Sequence, residues 1–194
     1  MKNYINCIFF TFFLLMPSFV SAEELEIGIS QGSVKPTPIA ITDFFSKDMK
    51  AIKTGKDISE VISSNLERSG LFIPKDKKSF IQDNESLNKK PRFEDWKLIQ
   101  AQHLVAGLID IENELIKIEF RLYDVLSQKQ LTGKRYETSI NNWRRVAHII
   151  SDEIFERITG EGGYFDTRIV YIAESGPLGK KQKRLAIMDQ DQHN

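Results

Sequence analysis

The chain has 194 residues, of which 41% are hydrophobic and 28% charged, enough apolar material for one ordinary domain with a core and too much for a disordered chain. Its 27 Lys and Arg balance 27 Asp and Glu, so no global field draws it to nucleic acid or to an anionic membrane.

Residues 1–22 have the layout of a secretory signal. Lys2 supplies a basic start, Ile8 to Met16 an apolar run, Pro17 a break, and Val20-Ser21-Ala22 a small-residue cleavage site. The apolar run is shorter than the roughly 20 residues a membrane span requires, so cleavage between Ala22 and Glu23 is expected. The only cysteine, Cys7, leaves with the signal, and no thiol remains for disulfide, metal or catalysis. Lys2 is the only charge removed, so the mature chain carries 26 basic and 27 acidic residues.

Leu25, Ile27 and Ile29 alternate with Glu26, Gly28 and Ser30, which is strand periodicity, and Gln31-Gly32-Ser33 interrupts it. This opening strand can be an edge of the domain's own sheet or a detachable ribbon that completes a partner's sheet. Pro36 and Pro38 separate it from a second strand over residues 39–44. Residues 47–56 are charged, contain Gly55, and read as a loop. Asp57 and Glu60 then have capping-box spacing ahead of a helix with Ile58, Val61, Ile62 and Leu66 on one face, stopped by Gly70.

Residues 75–90 are polar and read as a solvated connection. Pro91 opens a further helix whose apolar side is Phe93, Trp96 and Leu98 or Ile99, with Trp96 a core anchor. Leu104 to Ile109 is an almost unbroken apolar run suited to a strand covered on both faces. Ile116, Ile118, Phe120 and Leu122 alternate with charged residues in the clearest strand of the chain. Glu112-Asn113-Glu114 is a tight turn before it, and residues 126–130 turn the chain into a third strand through Tyr136.

Trp143, Val146, Ala147, Ile150, Ile154 and Ile158 lie on one face of a closing helix, with Asn141 or Asn142 at its start and Gly160 at its stop. Beyond Gly162 and Gly163, residues 169–173 and 185–188 read as two short strands joined through Glu174-Ser175-Gly176-Pro177-Leu178-Gly179 and the basic Lys180-Lys181-Gln182-Lys183-Arg184. The whole is an α+β (mixed α/β) chain: a mixed β-sheet covered by two to three helices over residues 23–163, then a short β-hairpin within 164–194.

No catalytic constellation stands out. The histidines are His103, His148 and His193, no His-x-x-x-His or cysteine pair has metal-ligand spacing, and no Gly-x-Ser-x-Gly elbow is present. His148 stands four residues after Arg144 and four before Asp152, which suits a surface ion-pair row. Asp189-x-Asp191-x-x-Asn194 resembles the start of a calcium loop but lacks its glycine and distal glutamate. The glycines at 160, 162 and 163 form a hinge and not a phosphate loop, since no helix starts after them. Catalytic residues, cofactors and metals are therefore expected to be none.

Several stretches are similar to the TolB family of the Tol-Pal envelope system. They are Pro38-Ile39-x-Ile41-x-x-Phe44, where the family has Val at the third apolar position; the Asp57 to Pro74 pattern Asp-Ile-x-x-Val-x-x-x-x-Leu-x-x-Ser-Gly-x-Phe-x-Pro; and Trp143-Arg144-Arg145-x-Ala147-His148, followed by Ser151-Asp152-Glu153-Ile154-Phe155-Glu156-x-Ile158-Thr159-Gly160 and Gly163-x-Phe165-x-Thr167-Arg168-Ile169. The resemblance implies a periplasmic, non-enzymatic interaction protein that supports outer-membrane integrity and cell division. Its mature N-terminal segment would contact the C-terminal domain of TolA, and here that segment is Glu23, Glu24, Leu25, Glu26, Ile27, Gly28, Ile29, Ser30, Gln31, Gly32 and Ser33.

In the family the region matching residues 164–194 opens a six-bladed β-propeller that binds the lipoprotein Pal, and Gln192 stands where the family's Asp-x-Asp-Gly-x-Asn turn has glycine. With only a propeller stub present, Pal binding is not expected, nor is binding of nucleic acid or a small-molecule substrate. A truncated or split-gene fragment of a TolB protein is the alternative expectation.

Overall fold

The computed structural model of the chain describes residues 35–191. The signal, the Glu23–Ser33 ribbon and the residues after Asp191 lie outside the described residues. In chain order the elements are β1 (Thr37–Ile41), α1 (Met49–Arg68), β2 (Phe72–Pro74), a 3-10 turn (Lys77–Ser79), α2 (Asn84–Lys89), α3 (Phe93–Leu98), β3 (His103–Glu112), β4 (Leu115–Asp124), β5 (Lys129–Ser139), a 3-10 turn (Ile140–Asn142), α4 (Trp143–Thr159), β6 (Arg168–Ser175) and β7 (Gln182–Asp189).

The sheet is mixed, with order β2-β1-β3-β4-β5. β1 runs parallel to both its neighbours, whereas β3, β4 and β5 form an antiparallel meander. This is the α+β architecture that the periodicity predicts, with one strand added. β2 is only three residues long and ends in Pro74, too short to show alternation.

Alternation on β4 decides the layers, because Ile116, Ile118, Phe120 and Leu122 all point to one face and are fully buried. They pack with Ile58, Ile62 and Leu66 of α1 and Val146, Ile150 and Ile154 of α4. On the opposite face Ala40, Leu104, Ala106 and Tyr123 pack with Leu87 of α2 and Trp96 of α3. Trp96 is the predicted anchor, fully buried with its indole N–H donated to Gln82 Oε1 at 3.2 Å. Asn113 and Glu114 sit at φ of 47° and 65°, the twin positive dihedrals of a two-residue hairpin turn that matches strand twist.

Two stretches expected to be loops carry helix. α1 starts at Met49 and not near Asp57, because Asp48 Oδ1 accepts from Lys50 N at 2.9 Å and caps it there. Gly55, which reads as a loop signal, lies inside that helix, and it is glycine because a Cβ there would stand 2.2 Å from Phe44 O. Residues 75–90 are likewise more than a connection: Asp83 caps α2, and its Leu87 is buried. Gly160 stops α4 in the left-handed region as predicted, whereas Asn142 precedes α4 without a capping side-chain bond. β6 and β7 pair as the expected hairpin.

Candidate functional site

The Glu23–Ser33 ribbon lies outside the described residues, and the first described strand after it is β1. Thr37 N donates to Leu71 O at 2.8 Å, and β1 is hydrogen-bonded to β2 on one side and β3 on the other. A partner strand therefore finds no free edge on β1; the open edges of this sheet are those of β2 and β5.

Three polar clusters merit a chemical test. In the first, Ser59 Oγ lies 2.8 Å from both Asp43 Oδ1 and Lys77 Nζ, and Lys77 also pairs with Asp43. Serine beside lysine suggests a nucleophile and its base. Here, however, the lysine donates to both oxygens, so it cannot take the serine proton, and Ser59 is fully buried. The cluster ties α1 to β1 and the turn at residue 77.

The second is a groove of about 400 Å³ on the open part of the sheet, lined by Phe45, Leu108, Asp110, Lys117, Glu119 and Arg135 among others. Its charges neutralise one another, with Lys117 2.7 Å from Glu112 and Arg135 2.6 Å from Glu119. Those partners hold the Lys117 ammonium above its ordinary value and the Glu112 carboxyl below. Nothing in it pairs a nucleophile with a base.

The third cluster joins α1, α4 and the end of β7. Expected at the surface, His148 is instead 2% exposed, because it faces α1 and the hairpin. Asp152, its expected neighbour, accepts from the backbone N–H groups of Phe165 at 2.6 Å and Asp166 at 3.0 Å, so it fastens the connector and not the histidine. Asn65 Nδ2 lies 2.9 Å from His148 Nδ1 and 3.0 Å from Ser151 Oγ. Arg68 donates to Asn65 Oδ1 at 2.8 Å and fixes which end of the amide is the acceptor. Ser151 spends its own proton on Ala147 O.

Asn65 therefore presents its N–H groups, His148 Nδ1 accepts, and the ring proton sits on Nε2. Nε2 points at Asp191 Oδ2, 3.7 Å away, and Asp189 Oδ2, 3.9 Å away. Arg144 pairs with Asp191, and Arg168 lies 4.0 Å from Asp189. Burial, and secondarily Arg144, lower the His148 pKa, while Asp191, Asp189 and Asp166 act against them.

His148, Asp189 and Asp191 could be taken for a metal-binding trio, since one ligand atom from each falls within 4.8 Å of the others. The surroundings oppose it. A metal needs the lone pair of Nε2 and a donor proton on Nδ1, opposite to what Asn65 imposes, and Arg144 already spends its charge on Asp191. The chemistry on offer is a hydrogen-bonded fastening. Sequence reading missed it, although one signal was available: Asn65 is a polar residue on the same helical stripe as Ile58, Ile62 and Leu66, where only a satisfied side chain belongs.

A fourth region is the hairpin tip, where Leu178 is 95% exposed and Lys180, Lys181, Lys183 and Arg184 cluster. Glu174 partners Lys181 at 3.0 Å and Lys183 at 3.2 Å, which lowers its own pKa. Among the described residues no helix is long and apolar enough to cross a membrane.

The described residues thus form a mixed α+β domain followed by a β-hairpin. Residues 25–131 match the TolB amino-terminal domain, and the chain belongs to that family. It is 45% identical to the Tol-Pal system protein TolB of Pelagibacter ubique (strain HTCC1062) over 95% of this chain and 43% of the relative. Its fold is similar to that of TolB from Acinetobacter baumannii, with a TM-score of 0.67 at 23% identity over 82% of this chain and 37% of that one. The chain thus spans less than half the length of these relatives.

Proposed function

We propose that this chain is a periplasmic, non-enzymatic interaction module of the Tol-Pal system that binds the C-terminal domain of TolA through Glu23–Ser33. Membership of the TolB family carries the reading, and the alternation of Leu25, Ile27 and Ile29 supports its mechanism. In that mechanism the ribbon's backbone completes the ladder of a partner sheet while alternate apolar side chains read its surface. Export through cleavage at Ala22 and Glu23 would free the ribbon's amino end, and through TolA the module would serve outer-membrane integrity and cell division.

The test is a deletion of Glu23–Ser33, measured by titration calorimetry against the TolA C-terminal domain and by thermal unfolding. Loss of binding with an unchanged melting temperature supports the assignment. Retained affinity defeats it.

A further inference from the structure

Arg144 on α4 pairs with Asp191, His148 on α4 faces Asp189 and Asp191 at the end of β7, and Gln190 Nε2 reaches Asn65 Oδ1 on α1 at 3.5 Å; these polar contacts join the hairpin to the domain, and Asn65 also holds His148 from α1. We propose that His148 is a proton-sensitive pin, held by Asn65 so that a second ring proton loosens the β6–β7 hairpin from the α/β domain.

The neutral ring suits its surroundings. Nδ1 accepts from Asn65, and the Nε2 proton lies between the two carboxylates. A second proton has to enter at Nδ1, where it meets the Asn65 N–H head on, two donors with no acceptor between them. Turning the amide to offer Oδ1 would break its bonds from Arg68 and to Ser151. Gln190 Nε2, 3.5 Å from the same Oδ1, would lose its acceptor as well.

Asp191 and Asp189 favour a cationic ring and Arg144 opposes it, but burial outweighs them, and each acid also has an arginine beside it. From α4, Arg144 holds Asp191 and Arg145 reaches Asp166 of the connector at 3.3 Å; from β6, Arg168 lies beside Asp189; from α1, Arg68 stands behind Asn65. A cationic ring would be buried at 2% exposure.

Burial lowers the folded pKa of His148 below its free value of 6.5, so the released ring takes the proton more readily. The fastening is therefore complete above that value, weakens as pH falls through it towards the folded pKa, and levels off below. Over that window the opening equilibrium shifts by up to about tenfold per pH unit.

The test uses the full chain. Nitrogen-15 chemical shifts of the His148 ring at neutral pH read the tautomer, and amide hydrogen exchange, corrected for intrinsic rates, compares β6–β7 with β3–β4 at neutral and mildly acidic pH. The proposal expects an Nε2–H ring and hairpin protection that falls severalfold in acid while β3–β4 is unmoved. His148→Gln, which cannot titrate, should flatten the pH response. Asn65→Asp places an acceptor opposite Nδ1 and should abolish or reverse it.

An Nδ1–H ring, acid-independent hairpin protection, or an unchanged pH response in His148→Gln overturns the proposal. The β3–β4 amides report whether each variant is folded, and the tautomer of the unaltered chain decides the matter even where a variant is not.

Discussion

The central meander and the β6–β7 hairpin are both antiparallel ladders, yet they are held in opposite ways. In the meander Ile116, Ile118, Phe120 and Leu122 are fully buried beneath α1 and α4. In the hairpin Val170, Ile172, Leu185 and Ile187 remain more than half exposed. A two-stranded ladder without a covered face is marginal in water. Its order is therefore borrowed from its root, where Phe165 is buried against Phe155 and Asp152 holds the connector. Backbone pairing shapes both regions, but burial stabilises only one.

The sharpest way to break this contrast is to truncate one apolar side chain in each ladder. Phe120→Ala should cost about 3–5 kcal/mol in urea unfolding, from lost burial and the cavity left behind, whereas Ile172→Ala should fall within about 0.5 kcal/mol. Equal costs would mean that the hairpin has a core of its own. At the root, Asp152→Ala removes the acceptor for two backbone N–H groups and should cost about 2–3 kcal/mol. The hairpin amides should lose exchange protection in that variant before the meander does. Within the domain, Gly55→Ala gains about 1 kcal/mol of helix propensity but drives a methyl against Phe44 O, so a net loss of about 1–2 kcal/mol is expected.

Much of this organisation is legible in residue order, and the exceptions have physical causes. The β4 pattern, the Asn113-Glu114 turn, the Trp96 anchor and the Gly160 stop are local signals, and the structure places each as expected. The start of α1 has a local cap in Asp48, but the reading of its first turns does not stay local: Gly55 is glycine because Phe44 approaches it from another segment, and a glycine within a charged stretch reads as a loop until that neighbour is known. His148 misleads for the same reason. Its spacing to Arg144 and Asp152 is real, but helix spacing cannot say which residue of a distant segment will cover a face, and here α1 supplies Asn65. The TolB resemblance was legible in three motifs, whereas the ribbon, lying outside the described residues, rests on sequence alone.

The smallest expected effect lies on the wet face of the meander. Arg135 reaches Glu119 at 2.6 Å, but its side chain is 71% exposed, so water and salt compete for both partners. Glu119 also has Arg121 within 3.5 Å, and Arg121 donates in turn to Asn88 Oδ1 at 2.8 Å, linking the sheet to α2. Arg135→Ala should therefore change stability by no more than about 0.5 kcal/mol, and still less at high salt. Arg121→Ala should cost more, because it leaves both oxygens of Asn88 short of a donor in a half-buried site. A larger loss for Arg135 than for Arg121 in paired urea titrations would show that surface pairing, and not the tie to α2, stabilises this face.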